Sequence, residues 1–143
     1  MNIYGIGTDI ISVDRIKKTL KNKKTLSRLF CKEEIAKCSK LIKSNNCYAK
    51  RFAAKEAFSK ALGTGISNGI NFNEIIIMNE KNGKPFIKLR GKTMLILKKK
   101  FKKSIKISLS ISDEKKYAVA FVTISSWLKK KFCQQFMKIL KLF

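Results

Sequence analysis

Residues 51–65 read RFAAKEAFSKALGTG, and a chain containing that stretch has to be built around a helix. Ala, Glu, Lys and Leu dominate it and no proline interrupts it. Ala54, Phe58, Ala61 and Leu62 fall at i, i+4, i+7 and i+8, the spacing of a buried stripe. Arg51 and Lys55 share one row of the helix surface, while Phe52, Glu56 and Lys60 share another. Gly63 and Gly65 can stop the helix as a left-handed cap does. The expected element is a packed helix with one acid, Glu56, and several cations on a second face. Taken alone, such a face makes ordinary i,i+4 pairs worth about 0.2–0.5 kcal/mol each.

The elements around that helix set its partners. Residues 3–11 alternate loosely about Gly5 and Gly7, as a buried strand does where another backbone comes close, and Asp9 sits near its end. Ser12 can cap a helix through Val13, Ile16 and Leu20, with Asp14 in the first turn. Thr25 can cap a short helix with Leu26, Leu29 and Phe30 inward. Glu33, Glu34, Ile35 and Leu41 suggest another, and Ser44, Asn45 and Asn46 break the pattern before the central helix. Beyond it, residues 72–79 are β-rich, Asn82-Gly83 signals a hairpin turn, and Pro85 can begin an edge strand. Residues 92–103 read as a helix. Ile105, Ile107, Leu109 and Ile111 alternate with Lys106, Ser108 and Ser110, a half-buried strand whose antiparallel partner is 117–124. The sum is an α+β fold, an antiparallel sheet with helices packed on one side. Residues 126–143 stand apart as a basic amphipathic C-terminal helix. It can pack on the domain or a sister subunit, or rest weakly on an anionic membrane surface.

Composition narrows the chemistry. There is no histidine among 143 residues, which removes the usual general base and any Ser-His or Cys-His mechanism. Carboxylates, lysines, water or a metal remain. Cys31, Cys38, Cys47 and Cys133 form no CxxC pair, so free thiols in a reducing compartment are the expectation. No apolar run reaches the roughly 18 residues of a membrane span, and the N-terminus resembles no targeting peptide, pointing to the cytoplasm. The net charge of +24 favours a polyanionic partner, but lysine supplies nearly all of it, and lysine is a poorer reader of phosphates and bases than arginine.

Two stretches carry a resemblance. GIGTDI at 5–10, followed by Arg15 in the next helix, and RFAAKEAFSKALGTGI at 51–66 resemble the holo-acyl-carrier-protein synthases, small 4′-phosphopantetheinyl transferases. FNEIIIMNEKNGKPFIKLRG and ISLSISDEKKYAVAFVTIS resemble that family's hairpin and closing strand pair, so the likeness spans a domain at 1–125. It implies transfer of phosphopantetheine from coenzyme A to a serine of acyl carrier protein, with Mg²⁺ held by Asp9 and Glu56. Phosphoryl transfer needs that charge neutralisation, and Mg²⁺ takes one or two carboxylates with phosphate oxygens and waters. By the same resemblance Glu56 and Lys60 are catalytic. Arg51, Lys55, Lys60, Gly63 and Gly65 contact the cofactor, Arg51 suiting the 3′-phosphate. Arg15, Lys18, Lys21, Lys24 and Arg28 face the acidic carrier. The family implies a homotrimer with active sites between subunits. The proton acceptor is open between water on the metal, Glu56 and, more weakly, Glu34. Many members carry a histidine near Ser112-Asp113, and this chain has none; the tail runs past the family's usual end. The rival reading, a basic nucleic-acid-binding module, has charge alone to support it, with no helix-turn-helix, zinc-finger or RNP motif.

Overall fold

Helix α4 (Ser44–Leu62) is the axis of the molecule, in a computed structural model that describes residues 2–63, 69–101 and 104–126. Before it come strand β1 (Ile3–Ser12) and the short helices α1 (Val13–Thr19), α2 (Lys23–Leu29) and α3 (Lys32–Ser39). After it come a 3-10 turn (Phe72–Glu74), the hairpin β2 (Ile75–Asn79) and β3 (Pro85–Leu89), helix α5 (Gly91–Lys100), and strands β4 (Ile105–Asp113) and β5 (Tyr117–Ser126). The strands form two antiparallel sheets, β1-β5-β4 and β2-β3. The α+β class holds, with its antiparallel strands divided between these two sheets.

The three-stranded sheet buries one face because its side chains alternate. Gly7 pairs with Val122, Asp9 with Ala120 and Ile11 with Ala118, and on the far side Leu109 pairs with Val122. These residues face α4, and Ala118, Ala120, Val122 and Ile124 are fully covered by it. The expected stripe of α4 is there: Ala54, Phe58, Ala61 and Leu62 are buried. Gly63 ends the helix at φ 70°, the left-handed cap its sequence suggested. Among the described residues no helix is long and apolar enough to cross a membrane.

Some boundaries differ from the sequence reading. Asn22, not Thr25, caps α2: its Oδ1 accepts from the Lys24 and Thr25 amides. Ser44–Asn46 begins α4 instead of interrupting the chain before it, because Asn46 Nδ2 donates to Asp113 Oδ2 and the Glu114 carbonyl, bonds no local propensity foresees. Helix α5 ends at Lys100, and residues 102–103 lie outside the described residues, as does the amphipathic stretch 127–143.

The cysteines also depart from expectation. Cys38 and Cys47 form a disulfide that ties α3 to α4 with Cα atoms 5.5 Å apart, while Cys31 is a free, buried thiol. Cys133 lies outside the described residues. The pairing follows from the packing of two helices joined by a tight turn, which no CxxC-type spacing announces. Closing so short a loop stabilises by about 2–3 kcal/mol in the chain-entropy account. Reduction should therefore lower the urea midpoint correspondingly, and a Cys38→Ser/Cys47→Ser variant should no longer respond to a reductant.

Candidate active site

The site begins with two missing side chains. Gly5 and Gly7 lie on the face of β1 that meets α4, where a Cβ on Gly5 would sit 1.8 Å from the Ala61 carbonyl oxygen and one on Gly7 1.9 Å from that of Ala57. Helix and strand thus touch backbone to backbone. Asp9 is the next residue on that face, because side chains alternate along a strand. It meets Lys60 of α4, Nζ to Oδ1 2.8 Å, and the same ammonium donates to the Thr8 carbonyl at 3.0 Å. Glu56 lies one helical turn before Lys60 and is half-buried. Burial first, and then the negative charge of Asp9, push its carboxyl pKa up; Lys60 and Arg15 pull it down. Asp9, Glu56, Lys60 and Arg15 are therefore one electrostatic cluster drawn from β1, α1 and α4.

Among the described residues no three His, Cys, Asp or Glu side chains form a metal cluster. Two carboxylates that repel each other, one of them half-buried, are nonetheless a donor set that suits a hard divalent cation whose remaining ligands are phosphate oxygens and water. The residues present fit Mg²⁺ in that sense.

Arg51 and Lys55 lie elsewhere. Lys55 is 0% exposed, so the expected direct contact with a cofactor phosphate is corrected: its Nζ bonds Glu34 Oε2 at 2.7 Å and the Phe72 carbonyl at 2.9 Å. Glu34 is spent in the same pair, with its other oxygen on the Ile77 amide at 3.0 Å, which removes it as a proton acceptor. The i,i+4 rows of α4 are real, but α4 is surrounded on nearly every side, and a row rule does not say which row is inside. Arg51 is also buried. Its Nη1 donates to the Cys47 carbonyl and Sγ, and among the described residues its Nε has no partner.

Arg51 does reach a cleft of about 830 Å³ between the α3–α4 turn, the tip of the β2-β3 hairpin and the end of β4. Lys37, Lys40, Lys43 and Lys50 bring four further cations to its walls, and Asp113 there is bound to Lys50 at 2.9 Å. Sequence reasoning missed these lysines, since nothing distinguishes four lysines in a chain so rich in them. The cleft does not include Asp9, Glu56 or Lys60. Gly63 caps α4, and Gly65 lies outside the described residues. Arg15, Lys18, Lys21, Lys24 and Arg28 are all exposed, on α1, on α2 and on the turn between them.

Comparison with known proteins gives this geometry a family. Residues 5–122 match the model of the 4′-phosphopantetheinyl transferase superfamily. A holo-[acyl-carrier-protein] synthase of Pelagibacter ubique (strain HTCC1062) is 49% identical over 125 residues, covering 87% of this chain and 98% of its own. The crystal structure of the holo-[acyl-carrier-protein] synthase of Neisseria meningitidis matches with a TM-score of 0.78 at 39% identity, over 87% of this chain and 100% of that one. The holo-(acyl-carrier-protein) synthase of Bacillus anthracis, crystallised in complex with CoA (3′,5′-ADP), matches with a TM-score of 0.72 at 36% identity, over 87% of this chain and 98% of that one. The strand that lets α4 settle on bare backbone, the acids that meet there and these likenesses agree: the chain belongs to the 4′-phosphopantetheinyl transferase superfamily, among its holo-[acyl-carrier-protein] synthases.

Proposed function

We propose that the chain moves the 4′-phosphopantetheine arm of coenzyme A onto a serine of apo-acyl carrier protein with Mg²⁺ held by Asp9 and Glu56, in the cytoplasm and as a homotrimer. The observation that supports the site assignment best is the meeting of Asp9, Glu56 and Lys60 where β1 and α4 touch. Bound there, Mg²⁺ would neutralise the diphosphate of coenzyme A and favour in-line attack at phosphorus.

The chain's own residues do the rest. Lys60, with its side chain half in solvent, can turn its ammonium from Asp9 to the transferring phosphoryl. Glu56 takes the serine proton, Glu34 being committed to its pair with Lys55. Arg51 and the four cleft lysines hold the nucleotide phosphates and, with no histidine in the chain, replace its contribution by charge. Adenosine 3′,5′-bisphosphate then leaves. The exposed cations of α1 and α2 orient the acidic carrier with its serine toward Glu56, so encounter should slow as salt rises.

Two features support the trimer. The outer face of β1-β5 shows Ile6 at 56%, Ile10 at 67% and Phe121 at 46% exposure, a row of apolar side chains with no cover from the described residues. The cationic cleft and the carboxylate cluster also lie apart in one chain, and a site formed between subunits supplies both to one coenzyme A. The basic amphipathic pattern of residues 127–143 supports a weak contact with an anionic membrane surface. A reducing cytoplasm works against the Cys38–Cys47 bond, but the two residues are 0% and 3% exposed, which hinders attack by a reductant.

Mass spectrometry tests the reading. Apo-carrier protein incubated with coenzyme A, Mg²⁺ and this protein should gain one phosphopantetheine, and a chelator should stop the gain. No gain, alongside tight and salt-sensitive RNA binding, would favour the rival. Sedimentation should give three chains per particle; a fully active monomer would remove the intersubunit site.

A further inference from the structure

We propose that the buried Glu34–Lys55 pair is a positioning device that sets the spacing of the two walls of the cationic cleft, and so the affinity for coenzyme A. The proposal rests on reading that cleft as the seat of the cofactor's nucleotide. Neither residue touches solvent: the side chains are 1% and 0% exposed, and their charged atoms are 2.7 Å apart. Each has further partners on other elements. Glu34 Oε2 also accepts the Cys31 amide at 3.1 Å, and Oε1 accepts the Ile77 amide at 3.0 Å. Lys55 donates to the Phe72 carbonyl at 2.9 Å, and its ammonium lies 5.0 Å from the centre of the Phe30 ring.

One ion pair thus ties α3, α4, the 3-10 turn and β2 to one another. Holding layers together does not require this. A buried ion pair is weak evidence for stability, because apolar side chains of the same volume often serve as well or better. Apolar packing has no direction, however, whereas each of these hydrogen bonds fixes an atom of one element against an atom of another. The Ile77 amide is a case in point. It belongs to a hairpin that lies outside the main sheet, and Glu34 fixes the middle of its strand to the helical layer, while Lys37 Nζ donates to Asn79 Oδ1 at 2.8 Å at the strand's end.

The cleft is built on the elements so fixed. Ile77 and Asn79 of β2 line one side, and Arg51 of α4 lines the other, one helical turn before Lys55. A shift of the hairpin relative to α4 would change the width of the cleft. The pair therefore acts on cofactor affinity through the cleft, without touching the cofactor.

The test separates positioning from stability. Glu34→Met and Lys55→Met singly each leave a buried charge alone, and both should lower the melting temperature. The double variant, E34M/K55M, is neutral, close in volume and unable to accept the Ile77 amide, so its melting temperature should recover much of what the single variants lose. Its affinity for coenzyme A, measured by calorimetry, should stay at least about tenfold weaker, with the loss in KM larger than that in kcat. If affinity recovers together with stability, the pair is structural only and the proposal is overturned. If the double variant does not fold, Glu34→Asp decides: both charges stay, but the carboxylate is withdrawn by one methylene from the Ile77 amide. Coenzyme A affinity should fall at least threefold, and unchanged affinity overturns the proposal. A wild-type protein that binds no coenzyme A would remove the reading of the cleft and this proposal with it; binding by wild type and double variant alike would remove the proposal alone.

Discussion

Glu56→Gln is expected to cut phosphopantetheine transfer by on the order of 10³-fold while leaving the melting temperature unchanged or raised. The rate loss follows from the job assigned to the carboxylate: several kcal/mol of charge stabilisation at the reacting phosphate, at about 1.4 kcal/mol per tenfold. The stability effect follows from its surroundings. Burial, and next the charge of Asp9, raise the pKa of the Glu56 carboxyl, so the folded protein holds that proton more tightly than the unfolded chain does. The stability this provides is fully present below the unfolded pKa and is lost as pH rises through the raised folded value. Above that value the ionised acid is therefore a liability to the fold, one a neutral amide of the same shape does not have. Lys60 and Arg15 soften that liability without reversing it. Transfer by mass shift and unfolding by circular dichroism give the two readouts, and Mg²⁺ should raise the melting temperature of the wild type but not of the variant. An active Glu56→Gln protein would undo the ligand assignment. An inactive one that melts well below the wild type would make Glu56 a structural residue.

How far the site could be read from the sequence differs residue by residue, for physical reasons. The β1–α4 contact was readable because two glycines two residues apart on a strand share a face, and a face without side chains implies a close neighbour. Asp9 continues that parity, so its place opposite the helix needed no more than the alternation of a strand. The place of Lys55 was not readable. Helical spacing puts it in a row with Arg51, but whether that row meets water depends on α3 and the hairpin, which arrive from distant parts of the chain. The cationic cleft was hidden for the same reason, since Lys37, Lys50 and Gly83 come together only when three elements have packed. The Cys38–Cys47 bridge was hidden too, because this pair depends on the packing of two helices across a turn, which no short cysteine motif encodes. The edges of elements erred where a side chain's tertiary bond outweighed its local preference, as with Asn46.

Gly7→Ala is expected to damage fold and site together, and Gly5→Ala the fold more than the site. In both, the new methyl lands on a backbone oxygen, not on the end of a side chain that could swing aside. At Gly7 the Ala61 amide nitrogen is a second obstacle, 2.6 Å away. Normal carbon contacts need roughly 3.5 Å, so the helix has to retreat from the strand by more than about 1 Å or the strand has to bow outward. Overpacking of this kind costs about 1–3 kcal/mol where side chains can adjust, and more where backbone must move. Either substitution should therefore lower the urea midpoint by a similar, large amount. Their effects on transfer should differ. Gly7 is two residues from Asp9 and pushes on Ala57, the neighbour of Glu56, so the carboxylates themselves are driven apart. A misplacement of about 1 Å at a reacting centre can cost roughly 10²-fold in rate. Gly5 pushes only on Ala61, next to Lys60 but more than a turn beyond Glu56, so the carboxylates should stay in place and its folded fraction should keep more of its activity. Measuring kcat per folded molecule for the two variants under conditions where both are folded would separate these outcomes. Equal losses of rate would mean that α4 moves as a rigid rod; wild-type stability in either variant would show that strand and helix do not rest on each other at that glycine.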